Sequence, residues 1–372
     1  MLVSGVRPAE SQARLTLANR ISRAGPTLPR YARRMVRFTV LASGSKGNAT
    51  VVTGGRTRVL VDAGLSCREL FRRMRLAGED PATLDAILIT HEHTDHVGGL
   101  AVTARKLGIP VYFTEGTHRA WMRWLTPRRQ MTYVQWLEQS RKQAAERQAE
   151  AESAWAGVDV ASACEEDEDD LYLGPSCDAP AAEAVAEEPA AAAADRIPSR
   201  KEEPTWLPAV EYFQAGQPFA VGDLDVSPFT IPHDASDPVG FVFRTEGVRL
   251  AFATDLGYIP PNVKAQLKAV DLLLLESNHD LEMLRDGPYP WSVKQRVLSR
   301  VGHLSNEAAA DYLQNGYDGQ AAYVILAHLS ESNNFPELAR VTAERALNGR
   351  ASLLANRLLL AEQGQPLASI YF

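Results

Sequence analysis

The residues whose types and spacing are best suited to chemistry lie in the run HEHTDH at positions 91–96. His91 and His93 are two positions apart just past a predicted strand, so their side chains project the same way and can share one metal ion. Asp95 and His96 follow where the chain turns into a helix, and they can face a second ion. Imidazole and carboxylate suit Zn²⁺, Mn²⁺ or Fe, and two ions about 3.5–4 Å apart stabilise both the attacking and the leaving oxygen. This density of ligands favours a hydrolytic metal centre over a solvated polar turn.

One loop cannot complete two coordination shells, so later strand ends must supply more ligands. His233 closes one predicted strand, Asp255 closes the next with a carboxylate that could bridge two ions, and His328 closes the last. His118 has no such setting and is predicted to be incidental. The predicted metal ligands are the histidines and aspartates His91, His93, Asp95, His96, His233, Asp255 and His328. Two divalent ions lower the pKa of a shared water, so a metal-bridging hydroxide is the predicted nucleophile.

The elements that position these ligands are predicted from apolar periodicity. Strands are expected at 36–41, 50–53, 58–61, 84–90, 110–113, 224–231, 240–245, 249–253, 272–276 and 323–326. Helices are expected at 66–77, 99–107, 261–269, 291–301, 306–315 and 336–347. In each half of the chain strands come first and then alternate with helices. This order predicts a layered α/β sandwich with functional residues at the strand ends.

The composition is that of an ordinary globular protein without a membrane span. The 372 residues are 45% hydrophobic and 23% charged. No apolar run approaches the roughly 18 residues that a membrane-spanning helix needs. The cysteines Cys67, Cys164 and Cys177 are odd in number and form no CxxC pair. This pattern argues against disulfides and a cysteine zinc site, so a cytoplasmic protein is expected.

The net charge of −7 is unevenly divided along the chain. Residues 1–34 carry seven arginines and one glutamate, whereas residues 150–195 carry fourteen carboxylates and no lysine or arginine. The rest of the chain therefore has a net charge of +1. A nearly neutral core is not a general polyanion binder, so any contact with nucleic acid must use a local patch.

Two segments are predicted to lie outside the folded domain. Residues 1–34 are Arg-rich and lack the apolar region of a secretory signal, which leaves an organellar presequence or, as the favoured interpretation, an upstream start codon. Residues 140–204 form an acidic low-complexity insertion that is predicted to be largely disordered. Its acidic run at 165–170 could bind a cation, but such a run is more typical of a solvated tract. The two halves of the folded domain are predicted to be residues 35–139 and 205–372.

The order of the motifs resembles that of the metallo-β-lactamase-fold hydrolases. The shared motifs are VDAG at 61–64, HxHxDH, a lone histidine, TDLG at 254–257 and a final histidine after an apolar strand. Further segments resemble the WalJ/YycJ-like branch: SGSKGN at 43–48, HDASDP at 233–238, ESNHD at 276–280, GHLSN at 302–306 and SESNN at 330–334. That branch is associated with 5′→3′ exonuclease activity on DNA. The resemblance implies an α/β (α+β) fold, a four-layered αβ/βα metallo-β-lactamase sandwich that the acidic insertion interrupts.

The resemblance also implies roles for single residues. It assigns His91, His93 and His233 to one metal ion. It assigns Asp95, His96 and His328 to a second ion and places Asp255 between the two. The ions would be Zn or Mn, with Fe as the alternative. Asp62 stands at the family's first aspartate, which orients metal ligands, although a simple turn residue is the alternative. The predicted catalytic residues are Asp62, Asp95 and His303.

Three features favour a phosphodiester substrate. Loop 43–48 offers hydroxyl and N–H groups that could cradle phosphate oxygens, although any tight turn looks similar. His303 precedes a predicted helix near its positive end. Resemblance to tRNA 3′-processing relatives gives His303 a role at the scissile phosphate or the leaving group, with helix capping as the alternative. Lys294, Arg296 and Arg300 lie at helical spacing and could follow a phosphate backbone or form an ordinary solvated face.

A polar group of Glu276, Asn278 and His279 follows a buried strand and could bind substrate, orient a metal ligand or stabilise the turn. The predicted substrate-binding residues carry hydroxyl, amide or imidazole groups within these motifs: Ser43, Ser45, Asn48, Asn278, His279, Asn306 and Asn333.

The sequence thus predicts a dinuclear metal-dependent hydrolase, a phosphodiesterase or nuclease whose substrate is DNA, with RNA as an open alternative. A small-molecule phosphodiesterase or thioester/lactone hydrolase on the same fold is a second interpretation. It would turn over independently of salt, whereas a polymer substrate gives strong salt dependence. A third interpretation is a regulatory protein whose acidic insertion recruits a protein partner. The complete set of seven ligand-type residues argues against this third interpretation as the only function.

Overall fold

The computed structural model describes residues 35–126, 203–347 and 357–372, with a few further positions between 137 and 145. The chain divides into two compact units. The larger unit holds the described residues up to Met122 together with Leu207–Phe372, and the smaller unit spans Arg123–Trp206. The predicted extension 1–34 lies outside the described residues, as does most of the predicted insertion 140–204.

Within the described residues the strands form two seven-stranded sheets. Their bounds are β1 Arg37–Ala42, β2 Ala49–Gly54, β3 Thr57–Val61, β4 Ala86–Leu88, β5 Val111–Phe113, β6 Val210–Tyr212, β7 Phe219–Val221, β8 Leu224–Thr230, β9 Val239–Thr245, β10 Val248–Ala253, β11 Leu272–Glu276, β12 Tyr323–Ala327, β13 Arg357–Leu360 and β14 Ile370–Tyr371. The strand orders are β14-β1-β2-β3-β4-β5-β6 and β13-β12-β11-β10-β9-β8-β7. Pairing is antiparallel from β1 to β3 and from β7 to β10, and it is parallel from β3 to β6 and from β10 to β13.

The described α-helices are α1 Cys67–Leu76, α2 Thr94–Val97, α3 Leu100–Leu107, α4 Glu115–Leu125, α5 Pro261–Gln266, α6 Leu281–Asp286, α7 Trp291–Val297, α8 Asn306–Asp311 and α9 Pro336–Leu347. Helix α1 lies against β1, where Arg73 Nη1 donates to the Leu41 carbonyl oxygen at 3.1 Å. None of the described helices is both long and apolar enough to cross a bilayer. Helices thus cover the stacked sheets, and the predicted four-layered sandwich is confirmed.

The apolar run of β11 is buried on both faces because it separates two cores. Leu272 and Leu274 belong to the core between the two sheets, whereas Leu273 and Leu275 belong to the core between the second sheet and its helices. The core between the sheets includes Val40, Val52, Val61, Phe241 and Phe252. The core under the helices includes Val263, Ala309, Ala339 and Ala343. A strand with a core on each of its two faces needs apolar side chains at every position, which explains the continuous run of leucines.

Several element boundaries differ from the predicted ones. The predicted strand 84–90 is regular only over β4, because the Thr90 N–H donates to the Asp62 carboxylate instead of a neighbouring strand. Helix α7 ends at Val297 rather than at 301, and a turn leads from it to Gly302. A Cβ atom at Gly302 would lie 2.2 Å from the Val297 carbonyl oxygen, so this turn is tight.

Three residues that follow strands adopt the left-handed conformation that side chains other than glycine rarely take. Asp62 has φ 59°, Asp255 has φ 61° and His328 has φ 57°. Each such residue costs about 1–3 kcal/mol and persists only where the surrounding structure enforces it. The bends turn all three side chains out of the sheets towards the residues 91–96.

Gly64 lies where the loop after β3 touches the turn that carries the predicted ligands. A Cβ atom at Gly64 would lie 1.6 Å from the Asp95 carbonyl oxygen. The backbones are joined there by hydrogen bonds from Asn48 N to Asp95 O at 2.7 Å and from Ala63 N to His96 O at 2.8 Å. Glycine is therefore required for close approach of the two loops.

We expect Gly64→Ala to lower the free energy of unfolding by about 1–3 kcal/mol, because the added methyl group forces two bonded backbones apart. Chemical denaturation measures this change. Gly364→Ala is the matched control, since a Cβ atom at Gly364 meets no atom of the described residues within 4 Å. Its stability should stay within about 0.5 kcal/mol of the parent protein. Equal stability of the two variants would contradict the close approach at Gly64.

Candidate metal centre

The structure brings the predicted ligands together in two adjoining clusters. In the first, one ligand atom from each of His91, His93 and His233 lies within 4.8 Å of the others. The Nε2 atom of His233 lies 3.2 Å from Nδ1 of His93. The ring centroid of His91 is 4.7 Å from that of His93 and 4.9 Å from that of His233. Three imidazoles from two separate loops therefore converge on one point.

The second cluster contains Asp95, His96, Asp255 and His328. The Nε2 atom of His96 lies 3.3 Å from Asp95 Oδ2 and 3.5 Å from Asp255 Oδ2. The Nε2 atom of His328 lies 3.4 Å from Asp95 Oδ2 and 3.4 Å from Asp255 Oδ1. The His91 and His96 ring centroids are only 4.0 Å apart, so the two clusters form one centre.

Four of the five histidines that are predicted metal ligands place Nδ1 against an oxygen acceptor and leave Nε2 facing the cluster. The contacts are His91 to Thr90 Oγ1 at 3.0 Å, His96 to Asp62 Oδ2 at 2.8 Å, His233 to the Gly302 carbonyl oxygen at 3.2 Å, and His328 to Glu276 Oε1 at 3.1 Å. An acceptor that holds Nδ1–H fixes the tautomer in which Nε2 carries a lone pair, as is usual for metal-binding histidines. This arrangement fits the centre for cations.

Two buried atoms at the centre, His91 Nε2 and Asp255 Oδ2, have no hydrogen-bond partner among the described residues. Burial, and then the charge of His96, holds the pKa of His91 well below its usual value, so its Nε2 presents a lone pair. A buried polar atom without a partner is costly, and a bound ion would satisfy it. The unpartnered atoms therefore support metal binding independently of the spacing.

The buried carboxylates favour positive charge in the same space. Burial disfavours a charged His96, but Asp255, Asp95 and Asp62 outweigh it and raise the pKa of the imidazole well above its usual value. Burial likewise opposes charge on His328, and Asp255 is the strongest of the groups that raise its pKa well above the usual value. A divalent cation supplies the charge that these carboxylates otherwise draw from protons.

Asp62 holds the centre from the side of the first sheet. It is fully buried, and burial raises the pKa of its carboxyl group above the usual value. Its oxygens accept hydrogen bonds from the Thr90 N–H at 2.9 Å, from the Thr90 hydroxyl at 2.9 Å and from His96 Nδ1 at 2.8 Å. The contacts support the orienting role that the resemblance implied. Sequence reasoning missed Thr90, whose only signal is its position directly before His91.

Glu276 holds the centre from the side of the second sheet. Its Oε1 accepts hydrogen bonds from His303 Nδ1 at 2.7 Å and from His328 Nδ1 at 3.1 Å, while Oε2 accepts from Leu256 N at 2.8 Å. Burial would raise the pKa of Glu276, but His303 and the hydrogen bonds from both histidines lower it to about 2. Of the three roles left open for this residue, the geometry favours that of orienting a metal ligand.

The loop 43–48 supports the centre from another direction. Asn48 Nδ2 donates to Asp95 Oδ2 at 3.0 Å, and the Ser43 hydroxyl accepts from the His328 N–H at 2.7 Å. Both side chains are buried, whereas Ser45 is exposed. Asn48 and Ser43 therefore contact the predicted ligands themselves, and of the three only Ser45 is exposed to an incoming phosphate.

The other predicted substrate-binding residues lie behind the ligands. Asn278 Nδ2 donates to the His328 carbonyl oxygen at 2.8 Å, and Asn306 Oδ1 accepts from the Ser277 hydroxyl at 2.6 Å. Asn333 is buried, and its N–H donates to Ser330 Oγ at 3.2 Å. His279 is buried with neither ring nitrogen in a hydrogen bond, and burial lowers its pKa to about 4. The contacts of the three asparagines stabilise loops, and a role in binding substrate stays a prediction for all four residues.

The histidine predicted to be incidental, His118, lies apart from the centre. Its ring stacks on Phe113 with centroids 4.8 Å apart, and its Nδ1 lies 2.7 Å from the Tyr212 hydroxyl oxygen. Sequence reasoning also gave no role to Asp234, although its carboxylate lies 3.5 Å from His233 Nε2 and pairs with Arg296. An aspartate directly after a ligand histidine was the available signal.

Fold and site together define a class of protein. A sequence profile described as "Metallo-beta-lactamase superfamily" matches residues 42–293, and the chain belongs to that superfamily. The fold of this superfamily implies bound divalent metal ions, and the histidine–aspartate clusters of this chain agree with that. The chain is therefore a metal-dependent hydrolase. The metallo-beta-lactamase fold protein YhfI from Bacillus subtilis has a similar fold, with a TM-score of 0.51 at 14% identity, over 90% of this chain and 99% of that one.

Two relatives place the chain within the superfamily. Exodeoxyribonuclease YycJ of Bacillus anthracis is 32% identical over 313 residues, which cover 83% of this chain and 88% of the relative. Exodeoxyribonuclease WalJ of Streptococcus pneumoniae serotype 2 is 30% identical over 306 residues, which cover 82% of this chain and 86% of the relative. The chain thus falls in the YycJ/WalJ branch, and the predicted family is confirmed.

We expect His93→Ala to lose bound metal and hydrolytic activity together, because it removes one of three converging imidazoles. Metal content by elemental analysis and turnover of a chromogenic phosphodiester measure the two effects. His118→Phe is the matched control, since it removes an imidazole outside the centre and keeps a ring against Phe113. A His93→Ala protein with full metal content and full turnover would refute the assigned cluster.

Proposed function

We propose that the chain is a metal-dependent nuclease that hydrolyses DNA in the 5′→3′ direction. The observation that carries most weight is the position of His303 at the edge of the centre. Its ring centroid lies 5.2 Å from those of His233 and His328, and Glu276 holds its Nδ1. An imidazole so placed can give a proton to the oxygen that leaves when a phosphodiester is cleaved. The relatives named exodeoxyribonucleases support DNA as the substrate.

The centre is proposed to hold two divalent ions, Zn²⁺ or Mn²⁺. His91, His93 and His233 would hold one ion, Asp95, His96 and His328 would hold the other, and Asp255 would lie between them. Nitrogen and carboxylate ligands without a thiolate suit either metal. When bound, such ions make a water nucleophilic near neutral pH and polarise a phosphoryl oxygen.

The chain's own residues would orient the metal ligands and deliver a proton to the leaving oxygen. Asp62 holds the ring of His96, and Asn48 holds the carboxylate of Asp95. Because Glu276 takes the Nδ1–H of His303, the Nε2 atom of His303 is the ring nitrogen left to deliver a proton. Glu276 also takes the Nδ1–H of His328, so one carboxylate positions a metal ligand and a proton donor together.

The cellular setting is proposed from the sequence. Three cysteines without a CxxC pair favour the cytoplasm. The insertion 140–204 is proposed to be dispensable for hydrolysis, because every side chain assigned to the centre lies outside it. A protein partner is the proposed role for its acidic run.

The decisive assay supplies the metal-loaded protein with 5′-labelled single-stranded DNA, duplex DNA, RNA and a chromogenic phosphodiester. We expect the 5′ label of the DNA to be released as a short product from the start of the reaction, with rates that fall steeply as salt rises. Asp95→Ala is the inactive control. Turnover of the small ester without cleavage of any polymer would contradict the nuclease function, and cleavage of RNA alone would contradict DNA as the substrate.

We expect His303→Ala to reduce kcat on DNA by about 10²–10⁴-fold while the metal content is retained, because the proposed role of this residue is to donate a proton while other side chains hold the ions. Loss of metal together with activity would instead make His303 a ligand, and an unchanged kcat would exclude proton donation.

A further inference from the structure

A surface that the proposed chemistry does not use lies on residues 287–301, which lead into His303. We call it the 287–301 surface. Its helix α7 has no buried residue. Trp291 is 65% exposed, Leu298 is 49% exposed and Val301 is 43% exposed. Apolar side chains concentrated on one exposed segment indicate a binding site.

The same surface is basic. Between Gly287 and His303 the chain has Lys294, Arg296 and Arg300 and no aspartate or glutamate. The guanidinium of Arg300 lies over the ring of Tyr258, 4.5 Å from its centroid. The Arg296 side chain is 58% exposed although it pairs with a carboxylate. The surface therefore combines the exposed ring of Trp291 with positive charge.

Direct contacts connect this surface to the metal centre. The Gly302 carbonyl oxygen accepts from His233 Nδ1 at 3.2 Å, and the Val301 carbonyl oxygen accepts from the Asp234 N–H at 3.0 Å. The Asp234 carboxylate, which pairs with Arg296, lies 3.9 Å from His93 Nε2. The 287–301 surface therefore adjoins the metal centre.

Backbone packing fixes the position of the surface. A Cβ atom at Gly257 would lie 2.4 Å from the carbonyl carbon of Arg300 and 2.5 Å from the carbonyl oxygen of Ser299. Gly257 is two positions from Asp255, so the loop that carries this predicted ligand presses directly on the segment. The segment is therefore a fixed support beside the centre even though its side chains are exposed.

We infer that the 287–301 surface binds the single-stranded DNA next to the scissile phosphate, with a base against Trp291 and phosphates against Arg296 and Arg300. This inference rests on the proposed nuclease function. Aromatic rings on which bases stack, combined with cations that follow the backbone, are the composition of single-strand binding surfaces. The complete lack of acidic residues from 287 to 303 matches a polyanion, whereas the chain as a whole has a net charge of −7.

The test measures binding of a fluorescent oligothymidylate of about 12 nucleotides, within the range of single-strand site sizes. Phosphorothioate linkages slow its cleavage by the metal-loaded protein. We expect Trp291→Ala to weaken binding about tenfold and Trp291→Phe to restore most of the affinity, because phenylalanine keeps a ring for stacking. We expect Arg300→Gln to lower the slope of log K against log salt by about 0.7, the value for one phosphate contact of a single strand.

Tyr371→Ala is the matched control. This tyrosine is 49% exposed, and it pairs with Arg37 at the end of β1 that lies away from Ser43. It should bind the oligonucleotide like the parent protein. If the protein cleaves DNA but Trp291→Ala and Arg300→Gln bind normally, the inference is wrong and the nuclease function stands. If the parent protein hydrolyses only the small ester and binds no DNA, the proposed function fails as well.

A second copy of the chain is the competing occupant of an exposed apolar surface. Light scattering of the parent protein and of Trp291→Ala distinguishes this case. A parent dimer that Trp291→Ala converts to a monomer would identify a subunit interface and overturn the inference. An unchanged oligomeric state together with weakened oligonucleotide binding supports it.

Discussion

The structure depends above all on where the Nδ1–H groups of four histidines are directed. Each faces a buried oxygen, on Thr90, Asp62, Gly302 or Glu276, and each ring is thereby held with Nε2 towards a common space. Without these acceptors the rings could turn, and their lone pairs would not converge. The constraint reaches far into the fold, because the carboxylate acceptors belong to different sheets. Asp62 follows β3 of the first sheet, and Glu276 ends β11 of the second. The centre therefore requires that the two sheets be stacked so that Asp62 and Glu276 face the same cluster of histidines.

Stacking of the sheets also compensates for local strain. Asp62, Asp255 and His328 are held in left-handed conformations at an energetic cost of about 1–3 kcal/mol each. The two apolar cores on either side of β11 fix the strands that precede these residues. Gly64 allows the loop after β3 to approach the backbone of Asp95 closely. The same interior makes the carboxylates effective. Asp255 and Glu276 are buried, so they act on neighbouring imidazoles at low dielectric, where charge interactions are strong. Positive charge is thus favoured at one point in the protein interior.

Much of this could be predicted from the sequence because ligand types and strand ends are local signals. The run at 91–96 and the single ligands at 233, 255 and 328 follow strands whose apolar pattern is unambiguous. What could not be predicted depends on contacts between distant loops. Asn278, Asn306 and Asn333 are predicted to bind substrate, and the sequence does not show that each also bonds to another loop: Asn278 to His328, Asn306 to Ser277 and the Asn333 carbonyl oxygen to the Asp280 N–H. The end of α7 was also misplaced, since periodicity cannot show that the turn to Gly302 packs within van der Waals distance of the backbone.

The two faces of the segment before His303 show how one stretch of chain can serve two purposes. Its carbonyl groups at 301 and 302 face inward and hold Asp234 and His233, so its path is set by the metal centre. The path is fixed by the backbone, and α7 buries none of its side chains, although Arg296 pairs with Asp234 and Lys294 Nζ donates to the Arg285 carbonyl oxygen. The net charge of the chain is negative, so an anionic polymer can be attracted only by a local excess of cations. The outward face of this segment has that excess, and its attachment to the ligands of the centre places the excess where a scissile phosphate would enter.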